Sequence, residues 1–191
     1  ITYLMELYDY FRQTDPDTLL AQIRERIDRY SLSDQNAEGY LALRRDYNRG
    51  GTPLDLFVLT CYSFNHQIRF NQKHEFNTPF GRSRSAYNPS IETNLLRFAG
   101  ALRTRDIRFS TVDFMDFDFS VLHQGDLVYC DPPYLISTGS YNDGRRGFKD
   151  WTDREDAQLM GLLDELDRSG IRFALSNVLT HKGLTNDRLI R

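Results

Sequence analysis

Long apolar runs are missing from this chain. No stretch is hydrophobic and long enough to cross a bilayer, and no signal peptide is visible at its start. Cysteine is scarce: Cys61 and Cys130 are the two present, and both sit within apolar runs. They read as small core side chains in a reducing compartment and not as a disulfide framework. The four histidines lack metal-ligand spacing, so no metal site is expected. Internal repeats and low-complexity segments are absent too, which argues against a solenoid. Nor is there a basic excess, since the formal net charge is −3. What remains is a chain of 191 residues, 40% hydrophobic and 27% charged, able to bury a core as one or two compact units.

The average charge hides a patch. Between residues 66 and 108, Arg69, Lys73, Arg82, Arg84, Arg97, Arg103, Arg105 and Arg108 face only Glu75, Glu92 and Asp106 in acidic count. A solvated surface is the usual explanation of such a run, and a phosphate-facing groove the sharper one.

The first part of the chain reads as helical. Tyr3, Leu4, Leu7, Tyr8 and Phe11 form one stripe. Asp15-Pro16 opens a second with Leu19, Leu20, Ile23 and Ile27, and a third runs through Tyr40, Leu41, Leu43 and Tyr47. Thr52-Pro53 starts a fourth, and Asn88-Pro89 another carrying Leu95, Leu96, Phe98 and Leu102. Residues 65–85 break the pattern with Asn, Arg and Gly among aromatics, which predicts an exposed loop or β-hairpin.

Beyond residue 105 the pattern alternates. Ile107-Arg108-Phe109 is expected to be a strand, and Asp126 to Cys130 a second. Thr152-Asp153-Arg154-Glu155 is a capping box opening a helix with Leu159, Leu162, Leu163 and Leu166. Gly170 ends it before a third strand, Ile171 to Leu175. Strand, helix, strand implies a parallel sheet covered by helices, an α/β fold. Asp131-Pro132-Pro133-Tyr134 then sits at the carboxyl end of a strand, where ligands bind in such sheets. Asp-Pro-Pro is also ordinary turn chemistry, and alone it would not decide a function.

Three blocks together resemble the Dam-type DNA adenine methyltransferases, the alpha-ordered group. They are Arg69-Phe70-Asn71 with Glu75-Phe76-Asn77-Thr78-Pro79-Phe80-Gly81-Arg82, then Asp131 to Tyr134, then Ala174-Leu175-Ser176-Asn177. The resemblance implies a partial Rossmann-like methyltransferase sheet with an inserted helical and β-hairpin DNA-recognition domain. Residues 1–14 would end the first part of the catalytic domain, 15–87 recognise DNA, with the hairpin at 65–85, and 88–191 carry the catalytic turn. It also implies double-stranded DNA as partner, S-adenosyl-L-methionine as cofactor, and action as a monomer in the cytoplasm of a bacterial or phage-infected cell.

Site roles follow from the same resemblance. Asp131 and the Pro132 carbonyl would each accept a hydrogen of the adenine amine, and Tyr134 would stack on the flipped base. Asp113, Phe114 and Asp131 would contact the cofactor. Asp113 can equally be a loop carboxylate capping an amide. Arg69 would read guanine, with Gln67, Asn71, Asn77, Pro79 and Arg82 facing DNA. Phe64 and Asn65 would enter the duplex where the adenine leaves. For each Arg, a phosphate contact is the plainer alternative.

The chain departs from that family in three ways. No glycine-rich cofactor loop or acidic ribose partner precedes Gly39, Gln67 replaces an apolar residue, and Ser83 replaces a Tyr. The first, with the lack of an initiator Met, predicts a piece of a longer protein that is weak or inactive by itself. The other two leave the GATC site suggested by the resemblance open to change. A catalytically inactive DNA-binding module is the competing reading.

Overall fold

The computed structural model describes residues 2–136 and 151–190. They fall into two compact units, one up to Thr111 and one from Val112 onward.

The first unit is helical. Its helices are α1 (Thr2–Gln13), α2 (Pro16–Arg29), α3 (Ala37–Asn48), α4 (Pro53–Tyr62) and α5 (Pro89–Thr104), and α2, α4 and α5 start where the sequence marks them. Asp15 accepts from Thr18 N, Asn88 accepts from Ile91 N, and Thr52 exchanges bonds with Asp55 as a full capping box. Such caps satisfy donors that the first helical turn leaves orphaned and contribute about 1 kcal/mol each. Helix α4 lies at the centre and buries Leu54, Leu56, Val58, Leu59, Cys61 and Tyr62, with α1, α2 and α3 packed on it. Burial pushes the Cys61 thiol up to about 12, so it behaves as an apolar core group.

The segment after α4 is a loop tied down at intervals and contains no regular strand. Two isolated antiparallel bridges, Ser63 with Phe80 and Phe70 with Phe76, give it a hairpin-like course. The expectation of a wholly exposed segment therefore needs correction. Most of its charged and amide side chains are exposed, but Phe70, Phe76, Thr78 and Ser85 are buried. Tyr3 and Phe70 rings stand 4.6 Å apart, Phe70 and Phe76 5.7 Å, and Phe76 and Tyr47 6.1 Å. This aromatic chain fastens the loop to α1 and α3, at about 0.5–1.5 kcal/mol per ring pair beyond simple burial.

Gly81 closes the loop against the protein. A Cβ there would lie 2.5 Å from Ser85 Oγ and 2.7 Å from the Ser63 carbonyl oxygen, both on buried residues. Gly81→Ala should therefore lower unfolding free energy by about 1–3 kcal/mol, the usual cost of overpacking a tight site. Denaturant unfolding followed by circular dichroism checks this, and an unchanged midpoint would contradict the close approach.

Ile107 to Phe109 is not a strand. Both apolar side chains pack on the helical core, and Arg12 Nη2 donates to the Ile107 carbonyl at 2.7 Å. Core packing, and not a ladder, accounts for the apolar pattern there.

The second unit is mixed α/β. Strands β1 (Leu127–Cys130) and β2 (Arg172–Leu175) are parallel, with Leu127 opposite Arg172 and Cys130 opposite Leu175. They are joined across helix α6 (Asp153–Arg168), opened by the predicted Thr152/Glu155 capping box. Leu159, Leu163, Leu166 and Ile171 form its core, against Val128, Cys130 and Leu175 from the sheet. The Cys130 thiol is raised by burial, and both cysteines are free. The sequence reading did not foresee the small antiparallel pair β3 (Thr180–His181) and β4 (Leu184–Thr185), followed by α7 (Asp187–Ile190). No helix among the described residues is long and apolar enough to cross a membrane.

Candidate functional site

The parallel register sets the carboxyl ends of β1 and β2 side by side. Ser176 N donates to the Cys130 carbonyl at 2.8 Å, so the pairing runs one residue past β2. Asp131 and Ser176 are thereby brought next to each other, although 45 positions apart in the numbering. Asp131 and Pro133 are exposed, while Pro132 and Tyr134 are half-buried. Neither proline has an N–H, so this turn offers carbonyls and a carboxylate with few competing donors. The Tyr134 hydroxyl donates to Asp131 Oδ1 at 3.1 Å and lies 2.8 Å from Ser176 Oγ. The side chain of the neighbouring Asn177 has a buried Nδ2 without a partner among the described residues. A buried donor left unpaired costs roughly 1–3 kcal/mol, which an acceptor-bearing ligand can recover.

Asp113 and Phe114 lie earlier in the same unit. Asp113 accepts from Met115 N at 3.1 Å and so caps the one-turn helix Phe114–Asp116. The Phe114 ring packs on Trp151 at 5.8 Å and lines a cavity of about 730 Å³ with Phe117, Phe119, Leu122, Leu162 and Leu166. Neither Asp113 nor Asp131 lines that cavity. Asp131 is thus grouped with Tyr134 and Ser176, and Phe114 with a hollow of mixed lining, to which Asp118, His123, Gln124, Gln158 and Glu165 also contribute.

In the first unit, the loop after α4 carries the other candidates. Phe64 is exposed at 40% despite its size. Asn65 and His66 beside it adopt left-handed backbone, with φ of 52° and 53°. Two successive non-glycine residues in that region cost energy and tend to mark functional turns. Pro79, itself exposed, fixes this tip by accepting from Phe64 N through its carbonyl.

The charged and amide residues divide into tied and free groups. Arg69 Nε donates to Asn77 Oδ1 at 3.0 Å and Nη2 to the Asn77 carbonyl at 3.4 Å. Asn77 therefore orients Arg69, which sequence reasoning treated as an independent neighbour. The Asn71 side chain builds the turn instead, accepting from Lys73 N and Glu75 N and donating to Glu75 Oε2. Gln67, Arg82 and Arg84 are exposed, and the two arginines form no ion pair among the described residues. Elsewhere in the basic run, Arg103 holds the carbonyls of Phe11 and Thr14, and Arg108 pairs with Asp106. Those two are occupied by structure, which narrows a possible phosphate-facing surface.

The loop backbone is held from behind. Tyr40 donates to the Thr78 carbonyl at 2.8 Å, and burial raises its hydroxyl far above the ordinary tyrosine range, making it a fixed donor. Asn48 pairs with both the N–H and the carbonyl of Phe76. These supports, like the Ser176 contact, come from distant residues. The Ala174–Asn177 block marked the strand end without a role for Ser176, and no short-range signal pointed to Tyr40 or Asn48 as supports.

Comparison with known proteins bears on both groups. The family model described as D12 class N6 adenine-specific DNA methyltransferase matches residues 1–190. The chain is 50% identical over 189 residues to the type II methyltransferase M.FokI of Planomicrobium okeanokoites, covering 99% of this chain and 29% of that protein. Modification methylase StsI of Streptococcus sanguinis is 49% identical over 188 residues, covering 98% and 29%. The DNA adenine methylase of Escherichia coli K12 is 29% identical over 145 residues, covering 74% and 50%. The chain thus spans under a third of the length of the first two relatives.

Proposed function

Given that the chain belongs to the D12 class of N6 adenine-specific DNA methyltransferases, we propose that the protein containing it methylates adenine in duplex DNA at a short, defined site. Its methyl donor is S-adenosyl-L-methionine. The observation that carries this reading is the exposed Asp131 beside Tyr134 at the carboxyl ends of two parallel strands, in a chain matched by that family over its length.

The residues fit the required chemistry. The amine of adenine is a poor nucleophile because its lone pair is delocalised into the ring. The Asp131 carboxylate and the Pro132 carbonyl each accept one amine hydrogen, favouring a pyramidal nitrogen with its lone pair free. Tyr134 offers a ring face to a base taken out of the stack. Such extrusion costs a few kcal/mol, and the exposed Phe64 and Asn65 fill the vacated place in the duplex.

The cofactor fits the second unit. The Phe114 ring, in a hollow of mixed apolar and polar lining, suits an adenine ring, Asp131 suits a cationic amino acid portion, and the Asn177 donor, without a partner among the described residues, suits an acceptor. When bound, S-adenosyl-L-methionine supplies an electrophilic sulfonium methyl. Asp113 serves by capping the turn that bears Phe114. Residues 15–87 are the recognition segment between parts of a Rossmann-like catalytic domain at 1–14 and 88–191. Arg69, oriented by Asn77, reads a base; Gln67 and Arg82 face the DNA; Asn71 and Pro79 shape the loop. The protein works as a monomer in the cytoplasm, within a restriction-modification system.

Mapping methylated bases in DNA from cells expressing the full-length protein tests this. N6-methyladenine is expected at one short sequence, absent without the protein. Occupied sites carrying no methyl mark would support the inactive DNA-binding module instead.

A further inference from the structure

Ser176 belongs to none of the roles above, yet it touches one of the residues that carry them. Its Oγ is 2.8 Å from the Tyr134 hydroxyl, which is 3.1 Å from Asp131 Oδ1. A tyrosine hydroxyl has one proton. With that proton donated to the carboxylate, its oxygen can only accept from Ser176. The result is a directed chain, Ser176 Oγ to Tyr134 Oη to Asp131 Oδ1. The Ser176 backbone is itself pinned to the end of β1 by its bond to the Cys130 carbonyl.

From this geometry we infer that Ser176 is a positioning residue for methyl transfer, acting through the Tyr134 hydroxyl. The chain fixes the tyrosine ring at its far tip as well as at its backbone. It also ties Oδ1 of Asp131 and so fixes the rotation of the carboxylate, with Oδ2 outside the chain of bonds and able to accept from the adenine amine. Both effects set the reacting geometry before the base arrives, and small misplacements at such centres are costly to rate. The inference rests on the reading of Asp131 as the acceptor of the adenine amine.

The test measures single-turnover methylation by the full-length protein carrying Ser176→Ala, Ser176→Thr, Tyr134→Phe, or Ser176→Ala with Tyr134→Phe. Loss of one hydrogen bond in the chain is expected to slow transfer about 3- to 10-fold. Affinities for DNA and for S-adenosyl-L-methionine should stay within about 2-fold in Ser176→Ala, and Ser176→Thr should recover most of the rate. The double variant should be no slower than Tyr134→Phe, because both changes break one chain. An undiminished rate in Ser176→Ala, or additive losses in the double variant, overturns the inference. So does a loss matched by a lower melting temperature and weaker binding, which marks a structural role. If Ser176→Ala does not fold, Tyr134→Phe decides: a rate equal to the unaltered protein overturns the inference. No adenine methylation by the unaltered protein sinks the proposed function itself, an outcome separate from all of these.

Discussion

Asp131→Ala should abolish measurable methyl transfer while leaving DNA affinity within about 3-fold of the unaltered protein. A single preorganised group at a reacting centre contributes roughly 10²–10³ in rate, and Asp131 does more than one thing. It anchors the Tyr134 hydroxyl, and under the proposed function it also accepts an amine hydrogen and faces the cationic part of the cofactor. Its removal leaves Ser176 as the partner of the Tyr134 hydroxyl among the described residues. DNA affinity is expected to survive because the proposed function places it on the loop after α4, whose supports at Asn48, Tyr40 and Tyr47 belong to the other unit. Single-turnover methylation and a binding isotherm on the same preparation check the pair of outcomes. Equal inactivity of the unaltered and altered full-length proteins, with cofactor bound, would favour a binding module.

Arg69→Ala should relax base preference at one position of the target site. A guanidinium held at its Nε edge by Asn77 still presents hydrogens on Nη1 and Nη2, the fork that matches the two acceptors of guanine. Losing a good bidentate contact costs about 1–3 kcal/mol, or roughly 5- to 150-fold in discrimination. Asn77→Ala should move the same position by less, because it frees the guanidinium without removing it. Arg84 gives the contrast. Exposed and without an ion pair among the described residues, it is assigned to phosphate. Arg84→Ala should weaken binding to all sequences alike and reduce the salt slope by about one counterion. Methylation mapped across many sites separates the cases, and a uniform loss in Arg69→Ala would show that this residue positions the duplex.

What the sequence made legible was mostly local. Asp15, Thr52, Asn88 and Thr152 each cap a helix through atoms three residues away or nearer, so a short window is enough to read them. The β1–α6–β2 order implied the parallel pairing, and with it the strand-end position of Asp131. Ile107 to Phe109 failed because an apolar triplet looks the same whether it pairs in a sheet or packs on helices. The loop after α4 was read as exposed because its amides and arginines outnumber its anchors, and the partners of Phe70 and Phe76 lie far off in sequence. Ser176 meets Tyr134 across 42 positions, and only the register of β1 with β2 brings them together. Asn77 turns toward Arg69 through a bend held by Thr78 and Tyr40, which no spacing rule anticipates.

The central claim is that the protein moves a methyl group to adenine in DNA. It is tested most directly by incubating the full-length protein with methyl-labelled S-adenosyl-L-methionine and duplex DNA, then digesting the DNA to nucleosides. The expected result is label recovered as N6-methyl-2′-deoxyadenosine, from duplex carrying the target site and lost in Asp131→Ala. Label in cytosine or in protein, with none in adenine, would contradict the account.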